Sequence, residues 1–145
     1  MTGARMRLLP LMLAALGVSL SVSCGRDCKL VGTRDARSAV SVRPLAVPSY
    51  VELRGSVVLV NVEEYDSSVT VAGALVNGQW QLGGVQAQRL GPRPSFSIVD
   101  DRAILQFMSQ VCVQEDSIGR CLKWSADPQP LVAAFSCSRR SAIGF

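Results

Sequence analysis

Histidine is absent from the 145 residues. Its absence removes His-dependent nucleophilic triads, imidazole metal ligands and the commonest general base of enzymes working near neutral pH. Aromatic residues are sparse, with two Trp, two Tyr and four Phe, and none interleaves with the lone adjacent basic pair, Arg139-Arg140. A nucleic-acid footprint is therefore missing. There is no fixed-period repeat and no low-complexity run, which excludes solenoids and long disordered linkers. The D-x-[DN]-x-[DN]-G calcium loop is lacking, and no Gly pair, Gly83-Gly84 included, opens a helix that cradles phosphate. These absences lead to the expectation of a protein with no cofactor, no metal and no nucleic-acid partner.

What the chain does have begins at its N-terminus. Arg5 and Arg7 precede an uncharged apolar run from Leu8 to Val22, followed by small residues up to Cys24. This is the layout of an export signal. The run is 15 residues long and interrupted by Pro10 and Gly17, short of the roughly 20 that a membrane-spanning helix requires. Leu20-Ser21-Val22-Ser23-Cys24-Gly25 resembles a bacterial lipobox, with Ser21 where that motif usually carries Leu. The resemblance implies cleavage before Cys24, attachment of a diacylglyceryl group to its sulfur, and the membrane as a partner through that lipid anchor. The alternative is ordinary cleavage that discards Cys24 and leaves a freely secreted domain.

Cysteine parity agrees with losing or modifying Cys24. Five cysteines, Cys24, Cys28, Cys112, Cys121 and Cys137, cannot all pair within one chain. An odd cysteine in an exported protein calls for an explanation. The remaining four allow three connectivities, and the expected pairs are Cys28–Cys137, joining the two ends of the fold, and Cys112–Cys121, across a hairpin. These four also lack the C-x2–4-C spacing of a structural zinc site. Such bridges belong to an oxidising compartment.

Removing residues 1–23 takes Arg5 and Arg7 from the 15 basic residues, leaving 13 against 11 acidic ones. That balance implies no strong electrostatic partner. The mature length is that of one ordinary domain, expected to comprise a lead-in over 24–48 and a β-rich domain over 49–145. Ala39-Val40-Ser41-Val42 alternates enough to be a strand within the lead-in. After Pro48, runs of Val, Leu and Thr are punctuated by Gly, Asn and Asp, the signature of antiparallel sheet. Ser56-Val57-Val58-Leu59-Val60-Asn61-Val62 reads as a central strand buried on both faces. Asn77-Gly78 predicts a type I′ hairpin whose second arm places Trp80 and Leu82 on the core face and Gln79 and Gln81 on the other. Further hairpins are expected around Asp100-Asp101 and from Val111 to Trp124. Helical spacing after the signal is confined to a short segment around Leu131 to Phe135. The fold class is therefore all-β, an antiparallel sandwich or barrel of seven to nine strands after an N-terminal signal helix.

The carboxylates Glu63, Glu64 and Asp66, together with Asp100-Asp101, are the candidates for acid–base chemistry, and both groups sit where loops are expected. Adjacent strand residues point to opposite faces, so Glu63 and Glu64 do not act together within a strand. Asp is a preferred turn residue, which accounts for Asp100-Asp101. Leu53-Arg54-Gly55-Ser56-Val57-Val58-Leu59-Val60-Asn61 looks like the first strand of secreted thiol oxidoreductases. However, Asp66-Ser67-Ser68 stands where their redox cysteines follow, with no helix to activate a thiolate.

Residues 80–137 are similar to part of a META domain, a small β-rich domain of bacterial envelope lipoproteins. The matching elements are Trp80-Gln81-Leu82, Pro94-Ser95-Phe96-Ser97-Ile98 followed by Asp100-Asp101-Arg102, then Cys112, and finally Pro130-Leu131-Val132-Ala133-Ala134-Phe135-Ser136-Cys137. The chain has Val111-Cys112-Val113 where that family has Gly-Cys-Asn. Cys24-Gly25 and then Cys28-Lys29-Leu30-Val31-Gly32 also resemble the start of small lipoproteins from high-GC bacteria. Both resemblances imply a place in a bacterial envelope. The expected function is a non-catalytic binding or structural module, lipid-anchored at Cys24, whose partner is an envelope protein or ligand. A carboxylate-dependent hydrolase is the alternative.

Overall fold

A computed structural model describes residues 25–139 of the chain. The expected export signal, Cys24 and Arg140 lie outside the described residues. Ten strands follow one another: β1 (Gly25–Asp35), β2 (Val47–Arg54), β3 (Val57–Glu64), β4 (Ser67–Val76), β5 (Gln79–Gly83), β6 (Ser95–Val99), β7 (Arg102–Ser109), β8 (Cys112–Glu115), β9 (Cys121–Trp124) and β10 (Gln129–Arg139). Eight of them close into an antiparallel barrel in the order β1-β10-β7-β6-β5-β4-β3-β2, while β8 and β9 form a separate hairpin between β7 and β10. Of the two architectures the sequence allows, the protein adopts the barrel. The reason lies in β1, which pairs with β2 on one side and β10 on the other and so leaves no edge strand.

The barrel follows from period-two alternation. On β3, Val58, Val60 and Val62 are buried, whereas Val57, Leu59 and Asn61 lie on the outer wall. This corrects the expectation of a central strand buried on both faces, because a single-layered barrel has one inner face and no centre. The outer valine and leucine still favour the extended backbone. Phe135, Leu105, Leu131, Val51 and Val71 fill the lumen with Val58 and Val60, as expected of a small barrel whose interior is packed with side chains. The outer wall carries Gln79, Gln81, Ser97, Gln106 and Ser136.

Three elements differ from expectation. Ala39–Val42 forms no strand beyond an isolated bridge between Ser41 and Arg34, and the first strand lies earlier, at β1. Its alternation is concealed by a bulge between Leu30 and Gly32, which leaves Val31 73% exposed and shifts the inward face from Cys28 and Leu30 to Thr33. The segment with helical spacing, Leu131 to Phe135, is part of strand β10. A short 3-10 helix, Val85–Leu90, was not foreshadowed. It buries Ala87 and Leu90, following the point where β5 stops at Gly83.

The hairpins are placed as expected. Asn77 and Gly78 both have positive φ, 51° and 79°, as a type I′ turn needs, and Asp100 turns β6 into β7 with φ 56°. Gly73, on β4, is required by space: a Cβ there would lie 2.6 Å from the Gln81 carbonyl oxygen and 2.9 Å from Val58 Cγ1. Trp80 is half-buried against the core and meets Phe96 edge-on, with centroids 5.8 Å apart.

Both expected disulfides are present, Cys28–Cys137 and Cys112–Cys121. Cys28 and Cys137 face each other in the β1–β10 register and are buried, so the bridge staples the seam where the chain's two ends meet. On the chain-entropy model the long bridge contributes about 4–5 kcal/mol and the short one roughly 2–3 kcal/mol.

Strand direction sorts the loops to two ends. One end, the Gly25 end, holds Gly25, the β2–β3, β4–β5 and β6–β7 turns, and Arg139. The opposite end holds the β1–β2 connection, the Tyr65-Asp66 turn, the 3-10 helix and the β8–β9 hairpin.

Candidate functional site

The β8–β9 hairpin has no buried residue in either strand, so hydrophobic packing does not hold it in place. Polar contacts do so. At its base, Ser125 Oγ accepts the Val111 N–H (3.0 Å), the Ser125 N–H reaches the Val111 carbonyl (2.8 Å), and Gln110 Nε2 donates to the Ser125 carbonyl (2.7 Å). On one side, the Cys112 N–H donates to the Arg43 carbonyl (2.9 Å) and the Leu45 N–H to the Gln110 carbonyl (2.8 Å). The Arg43 guanidinium donates to the Gly119 carbonyl at the hairpin tip and stands 3.8 Å from Glu115.

The tip is organised around Asp116. Its carboxylate accepts the backbone N–H groups of Ile118 (3.0 Å) and Arg120 (2.8 Å) and pairs with Arg120 Nε (3.0 Å). The Arg120 backbone N–H, more than any other partner, holds the Asp116 carboxyl below the ordinary carboxylate range. Asp in a turn commonly captures backbone donors in this way.

Between this hairpin and the barrel rim lies an open cleft of about 400 Å³, lined by Arg43, Tyr65, Asp116, Arg120, Leu122 and Trp124. A second hollow of about 270 Å³ continues it toward Leu45, Val47, Glu63 and Glu64, sharing Arg43, Tyr65 and Trp124. The combined groove has the size of a small-molecule or short-polymer site. Tyr65 stands on the β3–β4 turn and is 90% exposed. The nearby charges are largely compensated: Arg43 lies near Glu115, Arg120 pairs with Asp116, and Arg89 with Glu64 at 3.0 Å. Aromatic faces flanked by fixed donor–acceptor pairs suit a ligand that has both apolar surface and hydrogen-bonding groups and needs no large net charge.

The two carboxylate groups singled out in the sequence are not brought together. Glu63, Glu64 and Asp66 lie at the hairpin end of the barrel, and Asp100 and Asp101 at the Gly25 end. The convergence that a carboxylate pair requires is therefore not formed by these residues. Among the described residues, no group of three or more His, Cys, Asp or Glu side chains is arranged to hold a metal ion. Of the cysteines, Cys121 borders the cleft, Cys28 and Cys137 lie in the barrel seam, and Cys24 is outside the described residues.

As a set, Arg43, Tyr65 and Trp124 carry no signal in the sequence. They come from the lead-in, an acidic turn and a hairpin, and no spacing rule links them. Only the excursion of β8 and β9 away from the barrel joins them. No family model matches the chain, and neither a curated protein nor a solved structure matches it.

Proposed function

We propose that the protein is an exported, lipid-anchored envelope protein that works as a non-catalytic binding module and takes its ligand at the Tyr65–Trp124 cleft. The observation that carries this reading is the placement of Tyr65. A tyrosine left 90% exposed on a turn, bordering a cleft that also holds Trp124 and Arg43, contributes nothing to the barrel core. Aromatic residues and arginine are the types enriched where proteins bind partners. Two disulfides support an oxidising location, and the lipobox-like segment ending at Cys24 supports the anchor. The hydrolase alternative loses its motivation because its two carboxylate groups sit at opposite ends of the barrel.

The test is a titration of the folded protein with soluble fragments of bacterial cell wall, read by the fluorescence of Trp124 in a Trp80→Phe variant. Saturable change that Tyr65→Ala abolishes, while the thermal transition is retained, is the expected result. Binding that survives Tyr65→Ala unchanged, or no response to any fragment, contradicts this assignment of the cleft.

A further inference from the structure

The end of the barrel opposite the cleft has a composition of its own. Each of its three hairpin turns presents one exposed valine: Val57 (42% exposed) after the β2–β3 turn, Val76 (40%) before the β4–β5 turn and Val99 (68%) before the β6–β7 turn. Arg54 and Arg102 flank two of these turns, and Arg26 and Arg139 sit opposite each other at the β1–β10 seam. Glu52 binds the Arg54 guanidinium, and Arg26 donates to the Asp100 carbonyl. Asp100 and Asp101 share a small hollow with Arg26 and Arg139. The rim thus sets three apolar tips among four guanidinium groups, which the carboxylates of Asp27, Glu52, Asp100 and Asp101 match in number.

Its position relative to the anchor is fixed by the chain. Gly25 is the first residue of β1, is buried, and pairs with Arg54. A Cβ at Gly25 would lie 2.9 Å from the Leu53 carbonyl oxygen, so this residue is held tightly against β2. Cys24 precedes it by one peptide unit, about 3.8 Å from Cα to Cα. A lipid on Cys24 therefore has no spacer between bilayer and barrel.

We infer that the Gly25 end is a membrane-apposed face, which seats the turn valines and arginines at the level of the phospholipid headgroups and directs the Tyr65–Trp124 cleft away from the bilayer. This rests on lipidation of Cys24 as proposed above. Given that anchor, the three turns lie at the level of the headgroups, where valine tips find apolar surroundings and the guanidinium and carboxylate groups stay among polar ones. With strands of about eight residues rising about 3.3 Å per residue and tilted by about 35–45°, the opposite rim stands on the order of 15–20 Å higher. The barrel acts as a rigid spacer that lifts the cleft clear of the lipid.

The two tryptophans report on this directly, since Trp80 follows the β4–β5 turn at the Gly25 end and Trp124 lines the distal cleft. The experiment uses full-length chain expressed with its own signal, purified, checked by intact mass for the diacylglyceryl group, and reconstituted into phosphatidylglycerol-containing vesicles carrying headgroup nitroxide lipids. In Trp124→Phe, the emission of Trp80 is expected to be largely quenched. In Trp80→Phe, the emission of Trp124 is expected to be spared. Amide exchange of the unsubstituted protein gives a second measure that needs no variant: residues 54–57, 76–79 and 99–102 gain protection on vesicles relative to detergent, while 65–66 and 116–120 do not. A lipidated protein whose Trp124 is quenched, or in which neither tryptophan is quenched and no turn gains protection, overturns the orientation alone. A mass lacking the lipid overturns the anchor and the orientation with it.

Discussion

The barrel and the β8–β9 hairpin are both antiparallel β-structure, yet they are held together by different forces. In the barrel, alternation delivers an inner face of Val, Leu and Phe that fills the lumen, and the Cys28–Cys137 bridge lies within that packing. In the hairpin, no strand residue is buried, and order comes from the Cys112–Cys121 bridge, the Asp116 turn and hydrogen bonds to Arg43 and Gln110. Apolar burial is cooperative across a domain, whereas a surface hairpin opens locally at less cost. The candidate binding cleft lies between the two, with one wall from each. Its shape therefore depends on contacts that can be removed without unfolding the core.

The largest break in this comparison comes from the barrel's own staple. Cys28→Ala with Cys137→Ala is expected to cost about 4–5 kcal/mol by releasing the longest loop in the fold, a large share of a typical domain's 5–15 kcal/mol. Denaturant unfolding should show one cooperative transition at a much lower midpoint, with hairpin and barrel lost together.

Removing the other bridge should separate the two regions. Cys112→Ala with Cys121→Ala releases a short loop worth roughly 2–3 kcal/mol, and that loss should fall on the hairpin. Amide exchange over residues 112–124 is expected to accelerate while the barrel strands keep their protection. Equal loss of protection in both regions would show that the hairpin is part of the cooperative core.

The smallest effect concerns acid. The Asp116 carboxyl is held below its ordinary value of 3.8 by the Arg120 backbone N–H, and Asp35 is held low by the Arg37 side chain. A lowered carboxylate stabilises the folded state fully above its unfolded pKa, and that contribution disappears as pH falls through the lowered folded value. The tip over residues 116–120 is thus expected to stay ordered from neutrality to about pH 4 and to loosen only in stronger acid. Asp116→Asn should show the loosened tip at neutral pH, measurable by amide exchange, with no change in the barrel.

The same contrast explains how far the sequence could be read. Hairpins carried by local chemistry were legible: Asn77-Gly78 and Asp100-Asp101 supply turns whose flanking residues alternate, and four cysteines spaced to join ends and staple a hairpin predicted both bridges. β1 was not legible, because its bulge after Leu30 breaks the period and because only tertiary pairing with β10 makes the segment a strand. The choice of barrel over sandwich rests on that same non-local pairing. The cleft was least legible of all, since Arg43, Tyr65 and Trp124 lie far apart in the chain and each looks ordinary where it stands.

Anchoring at Cys24 is the claim from which the envelope location and the outward-facing cleft both descend. The most direct measurement is the intact mass of the protein expressed in a bacterial host with its own signal, beside that of Cys24→Ala. The account predicts a mature chain that begins at Cys24 and carries a diacylglyceryl increment, which is lost in the variant. A mature chain of unmodified mass, beginning at Cys24 or Gly25, would contradict it.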